Sequence, residues 1–106
     1  MDKVINIGGT DVTLRATAST VRRYRAKFGR DLLVDMQKFT EGTQSGEALE
    51  SILNLTYIMA KQANDKVPDD IDAWLDGFDV FPIADISQAV VTLWMQSTIT
   101  TATPKN

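Results

Sequence analysis

Two charged clusters hold the side chains best placed to do chemistry. Arg22, Arg23, Arg25 and Lys27 interleave with Tyr24 and Phe28, and Arg30-Asp31 follow after Gly29. Cations beside aromatics suit a nucleic-acid surface, where the charges neutralise phosphate and exposed rings stack on bases. The same pattern also describes the outer face of an amphipathic helix that meets a protein. On a helix Arg23, Lys27 and Arg30 share one side with Arg22 nearby, while Tyr24 and Phe28 fall at core spacing. The second cluster is acidic: Asp65, Asp69, Asp70, Asp72, Asp76 and Asp79. Such a run raises calcium, but it lacks EF-hand spacing, the glycine at the sixth loop position and the closing bidentate Glu. Asp69, Asp70 and Asp72 instead crowd a helix start, where the dipole favours negative charge. Arg22, Arg23, Lys27, Arg30, Asp31, Asp69, Asp70 and Asp72 are therefore the candidate protein-interaction residues.

The rest of the inventory narrows the chemistry. The 106 residues include no His and no Cys. That removes the commonest general base, the commonest metal ligand, any thiolate site and any disulfide framework. Gly8-Gly9 is not a glycine-rich phosphate loop, and no carboxylate pair can be assigned from spacing. The expectation is a protein that is not an enzyme, with no catalytic residues, no cofactor and no metal. No apolar run approaches the roughly 20 residues of a membrane helix. The expectation is a soluble, intracellular chain.

Charge is unevenly spread. Residues 1–30 carry seven basic and two acidic side chains, net +5, whereas residues 31–106 carry four and twelve, net −8. Such asymmetry fits an acidic partner for the basic end, a contact between copies, or neutralisation within one fold.

The elements that position these residues follow from periodicity. Residues 3–16 alternate apolar and polar around Gly8-Gly9, the signature of a β-hairpin. A four-residue loop, Gly8 to Asp11, would pair Ile7 with Val12 and Ile5 with Leu14. Thr17, Ser19 and Thr20 offer capping hydroxyls for a helix over 20–28, whose stripe is Val21, Tyr24 and Phe28. Gly29 suits its left-handed end. Asp31 caps a second helix, 32–39, with Leu32, Leu33, Met36 and Phe39 inward. After a polar linker, 40–46, comes the most apolar helix, 46–64. Its stripe is Leu49, Ile52, Leu53, Thr56, Ala60 and Ala63, widened by Leu55, Ile58 and Met59. Pro68 breaks the chain. A short helix over 70–77 carries Ile71, Trp74, Leu75 and Phe78, and a last helix over 82–97 opens at Pro82. On that helix Ile83, Ile86, Val90, Leu93 and Ser97 share a face, broadened by Val91, Trp94 and Met95. The predicted fold is α+β and predominantly α-helical, an N-terminal hairpin packed on about five helices. Residues 1–97 would form a single globular domain and 98–106 a flexible tail.

Three segments, in order, carry a family likeness. "YRAKFGRDLLVDM" (24–36) resembles the first helical segment of the tail assembly chaperones of long-tailed, siphovirus-type phages and prophages of Gram-positive bacteria. "LNLTYIMAKQAN" (53–64) is similar to their central helix. The stretch 72–100 resembles their closing segment: a W-L-x-x-F helix, a turn, and a helix ending in a Leu-Trp pair before a threonine-rich tail. The resemblance implies a non-catalytic protein of the host cytoplasm, absent from the mature virion. Its partner would be the tape measure protein, kept soluble while the tail tube assembles. The resemblance also implies self-association, contact with tail tube protein, and in many members a longer form made by ribosomal frameshift. Two rival readings stand beside it. One is a small nucleic-acid-binding regulator using the basic helix 21–30. The other is a virion head–tail connector or minor tail protein.

Overall fold

A computed structural model describes residues 1–41 and 46–99. A two-stranded antiparallel hairpin, β1 (Asp2–Ile7) and β2 (Thr10–Arg15), lies on five helices: α1 (Thr20–Phe28), α2 (Leu32–Thr40), α3 (Gly46–Ala63), α4 (Ile71–Leu75) and α5 (Ile83–Ile99). The molecule is a mostly helical α+β globule. No helix among the described residues is long and apolar enough to cross a membrane.

The hairpin register differs from the expected one by two residues. The loop is Gly8-Gly9 alone, and the pairs are Ile7↔Thr10, Ile5↔Val12 and Lys3↔Leu14. Both glycines have positive φ, 59° and 96°, which is what the tight turn matched to strand twist requires. Asn6 fixes it further. Its Oδ1 accepts from the Gly9 N–H at 3.0 Å, and its Nδ2 donates to Asp11 at 3.1 Å. A two-residue shift leaves every side chain on its expected face because the strand period is two. Ile5, Ile7 and Leu14 are buried as the alternation required, with Val12 partly so.

α1 has the predicted bounds. Ser19 sits at its N-cap, but its hydroxyl accepts from no backbone N–H of the first turn. Thr17 and Thr20 lock the approach instead, through the Thr20 Oγ1 accepting from the Thr17 N–H at 2.9 Å. Gly29, at φ 67°, ends the helix and returns its N–H to the Arg25 carbonyl. Asp31 then caps α2 by accepting from the Leu33 N–H.

α3 is the central element, packed on β2, α1, α2, α4 and α5. From Leu55 to Ala60 every side chain is buried, so this helix is surrounded rather than amphipathic there. Leu49, expected inward, is 41% exposed near its start. Of the expected linker, Thr40 ends α2 and Gly46 begins α3, while 42–45 lie outside the described residues.

α4 is shorter than predicted. Asp70 is its N-cap rather than its first turn, accepting from the Ala73 N–H. Beyond Leu75 the chain tightens into three-residue turns, with Gly77 and Phe78 donating to Trp74 and Leu75. α5 begins one residue after Pro82 and reaches Ile99, two residues past the predicted end. Polar side chains sustain that last turn: the Ser97 and Thr98 hydroxyls donate back to the Trp94 carbonyl at 2.7 and 3.2 Å. The rest of the expected tail, 100–106, lies outside the described residues.

Six aromatic rings tie the helices together. Tyr24, Phe28, Tyr57, Trp74, Phe78 and Phe81 meet edge to face in sequence, with successive centroids 5.1–6.4 Å apart. Such pairs add to burial because the positive edge of one ring meets the negative face of the next.

Candidate protein-interaction site

The basic residues expected to share one side do not form one surface. Arg30, expected beside Arg23 and Lys27, turns inward and grips Asp35 with two hydrogen bonds of 2.8 Å. Asp35 is 3% exposed and lies on the core face of α2 between Leu32 and Met36. The Tyr24 hydroxyl donates to the same carboxylate at 2.7 Å. These three residues form a closed unit joining α1, its exit loop and α2. The Arg30 bonds hold the Asp35 carboxyl below the ordinary carboxylate range, against the opposing effect of burial. Burial first, and then the bond to Asp35, push the Tyr24 phenol up to about 12. A buried carboxylate must find such partners or it would not stay ionised.

The inward stripe of α2 is thus Leu32, Asp35, Met36 and Phe39, and Leu33 is 55% exposed. The signal for Asp35 was present, since it stands three residues after Leu32 and one before Met36. A search for apolar residues passes over it and takes Leu33 instead.

Arg23 and Lys27 remain on the surface. They border a groove of about 360 Å³ between α1 and α3, whose other walls are Ala26, Tyr57, Ile58, Lys61, Gln62 and Asp69. Lys27 donates to the Asp69 carbonyl and stands 5.8 Å from the Tyr57 ring centre, a cation–π position. The Arg23 Nε donates to the Ser19 hydroxyl at 3.2 Å. Neither reaches a carboxylate at ion-pair distance among the described residues. Lys61 does, pairing with Asp69 at 2.9 Å and donating to the Asp65 and Val67 carbonyls. The groove therefore carries three cations, Arg23, Lys27 and Lys61, against one lining carboxylate, Asp69, over a floor closed by Ile58 and Tyr57. Arg22 and Arg25 lie exposed on α1 outside this groove.

The acidic candidates divide in the same way. Asp31 and Asp70 are spent on helix caps, Asp69 on Lys61, and Asp72 lies in the first turn of α4. No three or more His, Cys, Asp or Glu side chains gather as a metal site among the described residues. Part of the charge asymmetry is thus cancelled inside the fold, through Arg30 with Asp35 and Glu47.

A second groove, about 270 Å³, runs between α2 and α5 and is lined by Leu33, Met36, Gln37, Thr40, Val91, Trp94 and Met95. Leu33 and Met95 are 55% and 40% exposed there, although Met95 was expected to broaden the buried face of α5. This apolar furrow had no sequence signal of its own, because it needs two helices distant in sequence to lie side by side.

Comparison with family models, with curated proteins and with solved structures returns no match.

Proposed function

We propose that this chain is a phage tail assembly chaperone that binds the tape measure protein and keeps it soluble before the tube closes around it. The observation that carries the reading is the ordered set of three segments, 24–36, 53–64 and 72–100. They are not scattered in space. Phe28 of the first, edge-on to Tyr24 of the same segment, meets Tyr57 of the second, and Tyr57 meets Trp74 of the third. Further support comes from two side-chain-lined grooves, one cationic-rimmed and one apolar. A protein that shields a long, aggregation-prone helical client needs such surfaces. The nucleic-acid reading is the weaker one, because Tyr24 is buried and Phe28 half-buried, which leaves no ring of α1 free to stack on a base.

The test is co-expression with the tape measure protein that this reading expects to be encoded beside it. The expected outcome is a soluble complex that survives purification. Replacing Arg23 and Lys27 together by Glu should reduce recovered client by about tenfold while the protein itself stays folded. A client that is equally soluble with and without this protein would refute the reading. Arg30 is left out of the reversal because it holds Asp35, so its loss would report on folding rather than binding.

A further inference from the structure

We infer that the α1–α3 groove receives a short amphipathic helix with an acidic rim, presented by the client. This deepens the chaperone reading and rests on it for the identity of the partner, though the groove's chemistry can be tested alone. Charge carries the argument. α1 has four basic side chains and no acidic one, and two of those cations, Arg23 and Lys27, stand at the groove without an ion pair among the described residues. Among the described residues Asp69 is the one acid lining the groove, and it is already paired with Lys61, which leaves the groove with a net positive charge. Lys27 keeps donors to offer, since an ammonium has three and the Asp69 carbonyl takes one.

The wall type selects a helix over an extended strand. Both walls are α-helices, whose backbone groups are satisfied internally, so no sheet edge is available for strand addition. What remains is side-chain packing. Arg23, Ala26 and Lys27 face Tyr57, Ile58 and Lys61, at spacings of three and four on each helix. Ala26 opens the furrow between them. Its volume, about 360 Å³, lies near the lower end of the roughly 300–1,000 Å³ of built ligand pockets, which fits one or two apolar anchors rather than a long interface. Carboxylates flanking those anchors would meet Arg23 and Lys27 at the rim, setting the direction in which the helix lies.

The probes are three 18-residue peptides of identical apolar face, flanked by Glu, Gln or Lys, titrated into the full chain and followed by NMR. The Glu peptide should bind at least tenfold tighter than the Lys peptide, with shifts centred on α1 and α3, and should weaken as salt rises. Arg23→Glu with Lys27→Glu should invert that order. Should this pair disturb the fold, Arg23→Gln with Lys27→Gln should still erase the preference. Equal affinity for the three peptides, absence of binding, or shifts centred on the α2–α5 groove would each overturn the inference. So would tighter binding of oligo-dT at the same residues, or self-association of the chain that the same substitutions abolish, since the occupant would then be nucleic acid or a second copy. Failure of the peptides leaves the co-expression test intact. A failed co-expression with successful peptides would instead remove the client and keep the groove.

Discussion

At the scale of single residues, the Tyr24–Asp35–Arg30 unit ties α1 and its exit loop to α2, and it has a pH signature. The folded Asp35 carboxyl is held low, first by Arg30 and then by Tyr24. A depressed carboxyl contributes stability that is complete above the unfolded value, about 4, and lost as pH falls through the lower folded value. Tyr24 acts in the opposite sense. Its phenol is raised to about 12, so its contribution is complete below the unfolded value near 10 and lost as pH climbs from there. With no His and no Cys in the chain, side-chain titration leaves a flat plateau between about pH 6 and 8. Denaturation midpoints across pH should show this plateau with a fall on each side. Asp35→Asn should cost about 1.5–3 kcal/mol at neutral pH and flatten the acid fall, and Tyr24→Phe should cost a similar amount and flatten the alkaline one. Unchanged slopes in both variants would mean that other groups govern the titration. Arg30→Glu should be harsher, about 3 kcal/mol or more, because it leaves the Asp35 charge buried and opposed. Arg23→Glu with Lys27→Glu removes exposed cations and their surface contacts with Ser19, the Asp69 carbonyl and Tyr57, and should stay within about 1 kcal/mol. Urea denaturation of the two variants side by side separates an inward arginine from outward cations.

At the scale of elements, the turn and cap glycines give the clearest contrast. Gly8 and Gly9 both hold positive φ, yet their surroundings differ. A Cβ on Gly8 would run into the Val80 carbonyl oxygen, with the Val80 Cβ itself 3.3 Å away, whereas a Cβ on Gly9 or Gly29 meets nothing within 4 Å. Gly9→Ala and Gly29→Ala should each cost about 1–2 kcal/mol for left-handed backbone. Gly8→Ala should cost clearly more, because the collision is with main chain of the segment that leads into α5. Thermal melts of the three variants would rank them, and equal losses would show that the hairpin turn does not seat against Val80. The hairpin register is likewise one that alternation alone could not choose. Either loop length kept Ile5, Ile7, Val12 and Leu14 on one face, and the decision fell to turn geometry and to Asn6. The helix ends differed by a residue or two for local reasons as well, such as hydroxyls of Ser97 and Thr98 that occupy carbonyls of the last turn.

At the scale of the whole molecule, the sequence by itself determined the class, the order and nearly the bounds of the elements, because these depend on neighbours within a few residues. Apolar spacing of 3.6 and 2.0, a capping Asp31, and Gly29 after the last turn of α1 are local causes with local effects. It also foretold that the aromatics of α1 would be internal, since Tyr24 and Phe28 share a stripe. What it could not assign was the destination of each charge. Arg30 and Lys27 are three residues apart and look alike on a helical wheel, yet Gly29 turns the chain between them. One cation then meets a buried carboxylate of α2, while the other stays on the surface beside a carbonyl 42 residues away. Likewise Leu33 and Asp35 exchanged the places that hydrophobicity alone would give them, because an ion pair and a phenol hydroxyl were on hand to satisfy the acid. Both grooves arise between helices that are distant in the chain, α1 with α3 and α2 with α5. Only the tertiary structure decided where apolar surface and unpaired charge would remain uncovered, because that depends on which side chains happen to meet across the packed helices, and periodicity within one helix carries no record of its neighbour.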